Sequence, residues 1–275
     1  MNLQVASLNS GSNGNCYYVG YAQAGVLIDV GIAASEVEKR LTQLHISIQS
    51  IKATFITHEH GDHIHGLPAF AKKYNLPVYL SKGTYDQSEV NLNKLNLQFI
   101  KPYQCIEIDA LKIVAFPKQH DAAEAFSFYV EKNNIRVGVI TDIGLACSHV
   151  QDVFANVHAC ILESNYDEEM LENGRYPLAL KRRIRGGLGH LSNKQAKRLF
   201  LDKKHKELNL LLLAHLSKNN NKPELALAEF EDVKGSVRVD VLSRYKVGSL
   251  YDVTGKPFVF NPAQAAKFVQ QLTLF

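Results

Sequence analysis

The chain has 275 residues, of which 46% are hydrophobic, and this length suffices for one large core. No tract rich in proline, glycine or serine divides it, its start lacks the features of a signal peptide, and no apolar run reaches membrane-spanning length. The four cysteines lack CxxC spacing, which argues against a thiolate zinc site and a disulfide framework. We therefore expect a soluble, cytoplasmic protein with buried, reduced thiols.

The first predicted element of interest is a polar loop between short strands, residues 8–16, which contains two glycines. Glycines allow backbone N–H groups to point at an anion. Ser12 and Asn15 are therefore candidate substrate contacts. A plain hairpin loop explains the same residues equally well.

A cluster of potential metal ligands begins next to the apolar run 53–57. Three histidines and one aspartate fall within six residues, in the order His58, His60, Asp62 and His63. Imidazole and carboxylate are ligands for Zn²⁺, and ligands two residues apart converge only on extended or looped backbone. We predict half of a dinuclear metal site, in which Glu59 has no role as a ligand. The pattern HxHxDH after a hydrophobic strand resembles the signature of the metallo-β-lactamase fold superfamily.

This resemblance implies three more ligands downstream, each at or just after the end of a strand. His120 follows the apolar run 111–116, Asp142 follows the run 135–141, and His215 follows the run 210–214. By the resemblance, the first metal has the ligands His58, His60 and His120, and the second has Asp62, His63 and His215. By the same resemblance, Asp142 bridges the two metals. Taken by itself, Asp142 would equally suit a turn. Asp62 and Asp142 then also count as catalytic, because two such metals share a hydroxide nucleophile. Zn²⁺ suits these ligands, and Mn²⁺ or Fe²⁺ is tolerated.

Four further positions are candidates for substrate binding. Asn165 follows the apolar run 159–161, and Lys218 and Asn219 follow the predicted ligand His215. Tyr176 precedes a basic segment and is placed to stack on a nucleotide. Each of these residues also fits an ordinary loop or turn, or, for Tyr176, packing against the core or an interface.

The glycine-rich segment 186–193 leads into a predicted helix with a capping box, in which Ser192 is the N-cap and Gln195 lies three residues later. Such a helix start offers free N–H groups and a positive dipole to a phosphate. We assign His190 to binding the phosphate or protonating the leaving oxygen as a general acid, with Ser192 and Asn193 as further contacts. A histidine that hydrogen-bonds within its own loop is the alternative.

Basic residues are concentrated between positions 181 and 206, although the net charge is only +4. A polyanion would be drawn to such a surface, and a solvated helix face is the alternative. The residues are Lys181, Arg182, Arg183, Arg185, Lys194, Lys197, Arg198, Lys203, Lys204 and Lys206.

Strand-like runs alternate with amphipathic stretches at 35–44, 66–74, 192–201 and 223–233. This alternation predicts an α/β (α+β) fold with helices covering the sheets, in agreement with the αββα sandwich that the resemblance implies. The motifs taken together resemble the YycJ/WalJ family of bacterial metallo-β-lactamase-fold proteins over about residues 3–245. The resemblance implies a 5′ to 3′ DNA exonuclease with a part in mismatch repair.

The last five residues form a short motif of a glutamine followed by apolar residues: Gln271, Leu272, Leu274 and Phe275, with Thr273 between the leucines. They resemble the peptide with which many bacterial replication and repair proteins bind the sliding clamp, and apolar anchors of this kind suit a hydrophobic groove. A helix over residues 262–275 that packs on the body is the alternative. We therefore predict a catalytic domain at residues 1–260 and a C-terminal helix or tail at 261–275.

The leading hypothesis is a dinuclear metal-dependent phosphodiesterase that degrades DNA from an end. A phosphodiesterase for a cyclic nucleotide or sugar phosphate is the first alternative, since the same ligands serve both. A clamp-associated DNA-binding protein without catalysis is the second, although the complete ligand set argues against it.

Overall fold

The computed structural model describes residues 3–254, and within this range the strands form two seven-stranded sheets. The strands of the first sheet are β1 (Gln4–Asn9), β2 (Cys16–Tyr21), β3 (Ala24–Ile28), β4 (Ile51–Phe55), β5 (Pro77–Leu80), β6 (Asn96–Phe99) and β14 (Tyr251–Asp252). They lie in the order β14-β1-β2-β3-β4-β5-β6. Pairing is antiparallel from β14 to β3 and parallel from β3 to β6.

The second sheet has the same plan, with an antiparallel half and a parallel half. Its strands are β7 (Cys105–Ile108), β8 (Leu111–Pro117), β9 (Phe126–Lys132), β10 (Ile135–Ile140), β11 (Ala159–Glu163), β12 (Leu210–Ala214) and β13 (Arg238–Val241). The order is β13-β12-β11-β10-β9-β8-β7. Strands β7 to β10 pair in antiparallel fashion, and β10 to β13 pair in parallel.

Helices cover the outer face of each sheet. Those after strands of the first sheet are α1 (Ala34–Gln43), α2 (Gly61–Ile64), α3 (Leu67–Tyr74) and α4 (Lys82–Gln87). Those after strands of the second are α5 (Ser148–Phe154), α6 (Glu168–Asn173), α7 (Leu178–Arg185), α8 (Asn193–Lys203) and α9 (Pro223–Ala228). Three of the four predicted helices match within two residues. The fourth ends at Ala228 instead of residue 233, and turns follow it.

Three apolar clusters hold the layers together. Between the sheets, Phe55 of the first packs with Phe128 of the second, and their ring centroids lie 5.6 Å apart in an edge-to-face contact. Val37 and Phe70 join α1 and α3 to one outer face, and Phe200 joins α8 to the other. The layers are therefore helix, sheet, sheet, helix, and the predicted αββα sandwich is confirmed.

The ends of several strands meet at one edge of this sandwich, and the predicted ligands lie there. Three polar residues just after strand ends have left-handed backbone conformations: Asp29 directly after β3 with φ 62°, Asp142 two residues after β10 with φ 52°, and His215 directly after β12 with φ 56°. Non-glycine residues rarely adopt positive φ, and such conformations cluster at functional sites. The edge is therefore shaped to aim side chains inward.

The predicted tail and the domain boundary at residue 260 lie outside the described residues. Of the helices within residues 3–254, none combines the length and the apolar character needed to cross a membrane.

Candidate metal centre

The three histidines assigned to the first metal bring one ring nitrogen each to a common point. His58 Nε2 lies 3.0 Å from His60 Nδ1, and His120 Nε2 lies 3.3 Å from the same His60 atom. His58 and His60 come from the loop after β4, whereas His120 follows β8. Three converging imidazole nitrogens suit a tetrahedral cation with one open position.

The second predicted set converges beside the first. Asp62 Oδ2 lies 3.6 Å from His63 Nε2 and 3.7 Å from His215 Nε2. Asp142 Oδ2 lies 3.2 Å from His63 Nε2, and His58, His63 and Asp142 together offer ligand atoms within 4.8 Å of one another. Asp142 therefore lies between the two sets, as a bridging carboxylate must.

The polar atoms of this cluster fit a pair of divalent cations. Asp142 Oδ2 and His215 Nε2 are buried and have no hydrogen-bond partner among the described residues. Buried polar atoms without partners are costly, and a coordinated cation would satisfy both. Nitrogen and carboxylate ligands together suit Zn²⁺, Mn²⁺ or Fe²⁺.

A fully buried carboxylate that the sequence analysis did not assign, Glu163, joins the second set to the cavity beside it. Its Oε1 lies 2.8 Å from His190 Nδ1 and 2.9 Å from His215 Nδ1. Its Oε2 accepts bonds from the backbone N–H of Ile143 at 2.8 Å and of Leu191 at 3.2 Å. Glu163 thus fixes the orientation of both imidazoles. Its position at the end of β11, after an apolar run, was the available signal.

A second unpredicted carboxylate, Asp29, does the same for His63. Asp29 Oδ2 lies 2.7 Å from His63 Nδ1, and Oδ1 accepts the backbone N–H of Thr57 at 2.8 Å. A carboxylate on the far nitrogen of a ligating histidine fixes its tautomer and raises its basicity. An aspartate within the apolar run 27–30 was the signal in the sequence.

Comparisons with known proteins agree with this geometry. A family described as "Beta-lactamase superfamily domain" matches residues 25–215. The chain is 36% identical over 234 residues to "Exodeoxyribonuclease YycJ" of Bacillus anthracis. This match covers 82% of this chain and 87% of that protein. It is 31% identical over 225 residues to "Exodeoxyribonuclease WalJ" of Streptococcus pneumoniae, and this match covers 80% of this chain and 83% of that protein. The chain belongs to the YycJ/WalJ family of metallo-β-lactamase-fold hydrolases.

A solved structure supports the fold of this YycJ/WalJ family member independently. Zn²⁺-bound PqqB from Methylobacterium extorquens superposes with a TM-score of 0.70 at 15% identity, covering 90% of this chain and 99% of that one. The predicted family and fold are therefore confirmed.

The pKa values of His58 and His120, in the first set, shift in the opposite direction to that of His63, in the second set. Burial lowers the pKa of His120 to about 4 and holds that of His58 well below its usual value, so both imidazoles are neutral and free to bind metal. Burial alone would also lower the pKa of His63, but Asp142, Asp29 and Asp62 outweigh it and raise the pKa to about 10. The second set therefore holds protons that a cation would displace.

Lys118 adds a buried cation behind the first set. Its Nζ donates to the carbonyl of Thr141 at 2.8 Å and lies 3.5 Å from His58 Nδ1. Burial lowers the pKa of its ammonium, while Asp142 and Asp29 oppose that shift. Lys118 thus offsets part of the negative charge of the carboxylates, and the sequence analysis missed it.

Several predicted substrate residues line a cavity of about 180 Å³ beside the centre. His190 opens into it, with 22% of its side chain exposed, and its Nδ1 lies 3.8 Å from Asp142 Oδ1. Asn165 links the cavity to the centre because its Nδ2 donates to the carbonyl of His215 at 2.7 Å. Ser12 and Tyr176 also line the wall. Exposed Asn219 donates to the Tyr176 hydroxyl at 3.0 Å, and Lys218 is exposed beside it.

Three predicted substrate contacts need correction, because their side chains are buried and already bonded within the protein. Asn15 Nδ2 lies 3.2 Å from Asp62 Oδ2 and 3.1 Å from His63 Nε2, so its amide supports predicted ligands. Ser192 forms the predicted capping box and donates to Glu168. The Asn193 amide bonds Ser164 and Asn221.

Most of the basic segment falls on two helices, α7 and α8, whereas Lys204 and Lys206 follow α8, and much of its charge is paired. Arg185 pairs with Glu172, Lys197 with Asp232 at 3.1 Å, and Arg198 with Asp202 at 2.6 Å. Helix α7 has no buried residue. The acidic partners reduce the positive surface that the sequence predicts, and α7 is its part nearest the cavity.

Proposed function

We propose that this YycJ/WalJ family member is a dinuclear metal-dependent exonuclease that degrades DNA in the 5′ to 3′ direction. One observation supports the proposal most directly: two converging ligand sets lie beside a polar cavity that is lined by His190 and Asn165. The names of the relatives from Bacillus anthracis and Streptococcus pneumoniae supply the substrate class.

The ligand sets would hold two divalent cations, which supply water activation and charge neutralisation at a phosphoryl group. The residues of the chain then position the strand and move protons. Because Glu163 binds His190 Nδ1, the other ring nitrogen, Nε2, is left to exchange a proton with the leaving oxygen. Asn165 fixes the His215 loop from the cavity side. His190 is therefore the proposed general acid.

Helix α7 is the proposed guide for the strand. Four of its eight residues are basic, and Arg183 reaches the cavity wall. Phosphate contacts of this kind position a nucleic acid without reading its sequence. The enzyme is thus expected to act on ends of any sequence.

The direct test uses metal-loaded protein and linear duplex DNA labelled at one end, beside a closed circle and a chelator-treated control. We expect chelator-sensitive release of mononucleotides from the linear DNA alone, and phosphorothioate linkages at one end at a time reveal the direction. Asp142→Ala and His60→Ala are expected to abolish turnover in folded protein. Full activity of either folded variant would refute the proposal.

A companion assay with a cyclic nucleotide or sugar phosphodiester separates the alternatives. Hydrolysis of the small diester without loss of DNA, with Mn²⁺ and with Zn²⁺, would replace the exonuclease by a small-molecule phosphodiesterase. Bound metal without hydrolysis of either substrate would favour a non-catalytic DNA-binding protein.

We further propose that the last five residues link the protein to DNA repair. Gln271, Leu272, Leu274 and Phe275 are proposed to dock on the bacterial sliding clamp. Calorimetric titration of the clamp with the full chain and with a chain ending at residue 260 tests this. Equal binding of both proteins would reject the role of the tail.

A further inference from the structure

Arg183 is a cation placed where the polar cavity meets the metal centre. It lies on the exposed side of α7 with 64% of its side chain accessible, and it lines the same cavity as His190 and Asn165. Of the lysines and arginines within residues 3–254, it is the one that lines this cavity. The carboxylate of Asp121 also lines the cavity, and the remaining polar wall includes the hydroxyl groups of Ser12 and Ser217.

In this structure Arg183 is paired with Asp121, the residue that follows the predicted ligand His120. Arg183 Nε donates to Asp121 Oδ2 at 2.7 Å, and Nη2 lies 2.5 Å from the same oxygen. Asp121 Oδ1 lies 3.3 Å from His120 Nε2. Partly exposed ion pairs contribute little net stability, so a phosphate entering the cavity is able to take the place of Asp121 on the guanidinium.

The spacing between Arg183 and His190 is fixed by backbone contacts. His190 N–H donates to the carbonyl of Ile184 at 2.8 Å, and Gly189 N–H donates to that of Gly186 at 2.8 Å. Gly189 packs so closely on α7 that an added Cβ would meet the carbonyl oxygens of Arg183 and Ile184 at 2.2 Å. The backbones that carry Arg183 and the proposed general acid are therefore held in one fixed arrangement.

We propose that Arg183 binds the terminal 5′-phosphate of the strand whose first phosphodiester lies at the metal centre, and so sets a preference for phosphorylated ends. This inference rests on the proposed function. A guanidinium suits the task because its planar fork matches a phosphate in two parallel hydrogen bonds. Leu180, Arg183 and Ile184 of α7 form one wall of the cavity, and the terminal nucleotide is its proposed occupant.

The test compares two linear DNA substrates that differ only in a 5′-phosphate or a 5′-hydroxyl end. Wild-type protein, Arg183→Ala, Arg183→Lys and Arg182→Ala are assayed with the same metal. Arg182 is the matched control, because it is exposed on the same helix and carries the same charge but does not line the cavity. Binding of both DNAs to chelator-treated protein, by fluorescence anisotropy, gives a second readout that does not depend on turnover.

The wild type is expected to favour the phosphorylated end by about tenfold in kcat/KM, mainly through KM, which is typical for one charge-assisted contact. Arg183→Ala should lose this preference, Arg183→Lys should keep part of it, and Arg182→Ala should keep all of it. An active wild type without end preference, or equal losses in both alanine variants, would overturn the role of Arg183. A wild type that degrades neither DNA would instead overturn the exonuclease and, with it, this inference.

Discussion

Replacing Glu163 by glutamine preserves the size of a buried side chain but removes its charge and one of its two acceptor oxygens. Both oxygens are in use: Oε1 contacts His190 and His215, and Oε2 accepts two backbone N–H groups. An amide has one oxygen, so its NH₂ group must face one of these two pairs of donors. If the NH₂ group faces the backbone, the N–H groups of Ile143 and Leu191 lose their acceptor. If it faces the imidazoles, His190 and His215 must each present an unprotonated Nδ1 to it.

The size of the effect follows from these four contacts. A hydrogen bond to a charged group contributes about 1.5–3 kcal/mol, and an unsatisfied buried donor costs about 1–3 kcal/mol. Since either orientation loses or rearranges buried hydrogen bonds, we expect Glu163→Gln to lower the free energy of unfolding of the metal-free protein by about 1–3 kcal/mol. Because His190 and His215 lose their fixed orientation, metal affinity or activity should fall by about 10–100-fold.

Chemical denaturation of metal-free protein and calorimetric titration with Zn²⁺ or Mn²⁺ measure the two effects. Glu59→Gln is the matched control, since the Glu59 carboxylate lies near the same centre but accepts a single backbone bond, from Ala123 at 2.8 Å. If Glu163→Gln matched the wild type within about 0.5 kcal/mol and bound metal equally well, the positioning role of Glu163 would be refuted.

Asp29→Asn should weaken metal binding by about 10–100-fold, because the 2.7 Å contact that orients His63 loses its charge; unchanged titration curves would contradict this. Metal binding at pH 8 should release at least one proton per chain, because the pKa of His63 is about 10; that of His215 is also raised, by Asp142, Asp62 and Glu163 against the effect of burial. Calorimetry in buffers of different ionisation enthalpy counts these protons, and a count of zero would show the predicted charge states to be wrong. The raised pKa of His63 stabilises the metal-free fold fully below about pH 6.5, and this contribution is lost as the pH rises through about 10. The denaturation midpoint of the metal-free protein should therefore fall between these pH values, and that of the metal-loaded protein should not.

The convergence of the predicted ligands could be expected from the sequence, because these residues follow the ends of apolar runs. Parallel strands such as β10, β11 and β12 bring their carboxyl ends to one edge, so Asp142 and His215 had to lie close together. The fold followed from the same alternation of strands and helices. These features depend on local sequence and on simple sheet geometry.

The supporting residues were not predictable in the same way. Asp29 and Glu163 are single carboxylates without characteristic spacing, and their roles depend on histidines 34 and 27 residues away. The burial of Asn15 likewise arises from its contact with Asp62, 47 residues later. Local propensity carries no information about such tertiary contacts, which is why a polar loop residue was taken for a substrate contact.

Each of the two predicted ligand sets draws residues from both sheets. His58 and His60 follow a strand of the first sheet, and their partner His120, 60 residues later, follows a strand of the second. A bound cation would therefore tie the two sheets together, and because its ligands converge only in the folded chain, its binding free energy would add to the stability of the fold. Metal starvation would thus shorten the lifetime of the protein, because proteases cleave the opened form. The amount of intact protein in a cell should rise and fall with the supply of metal.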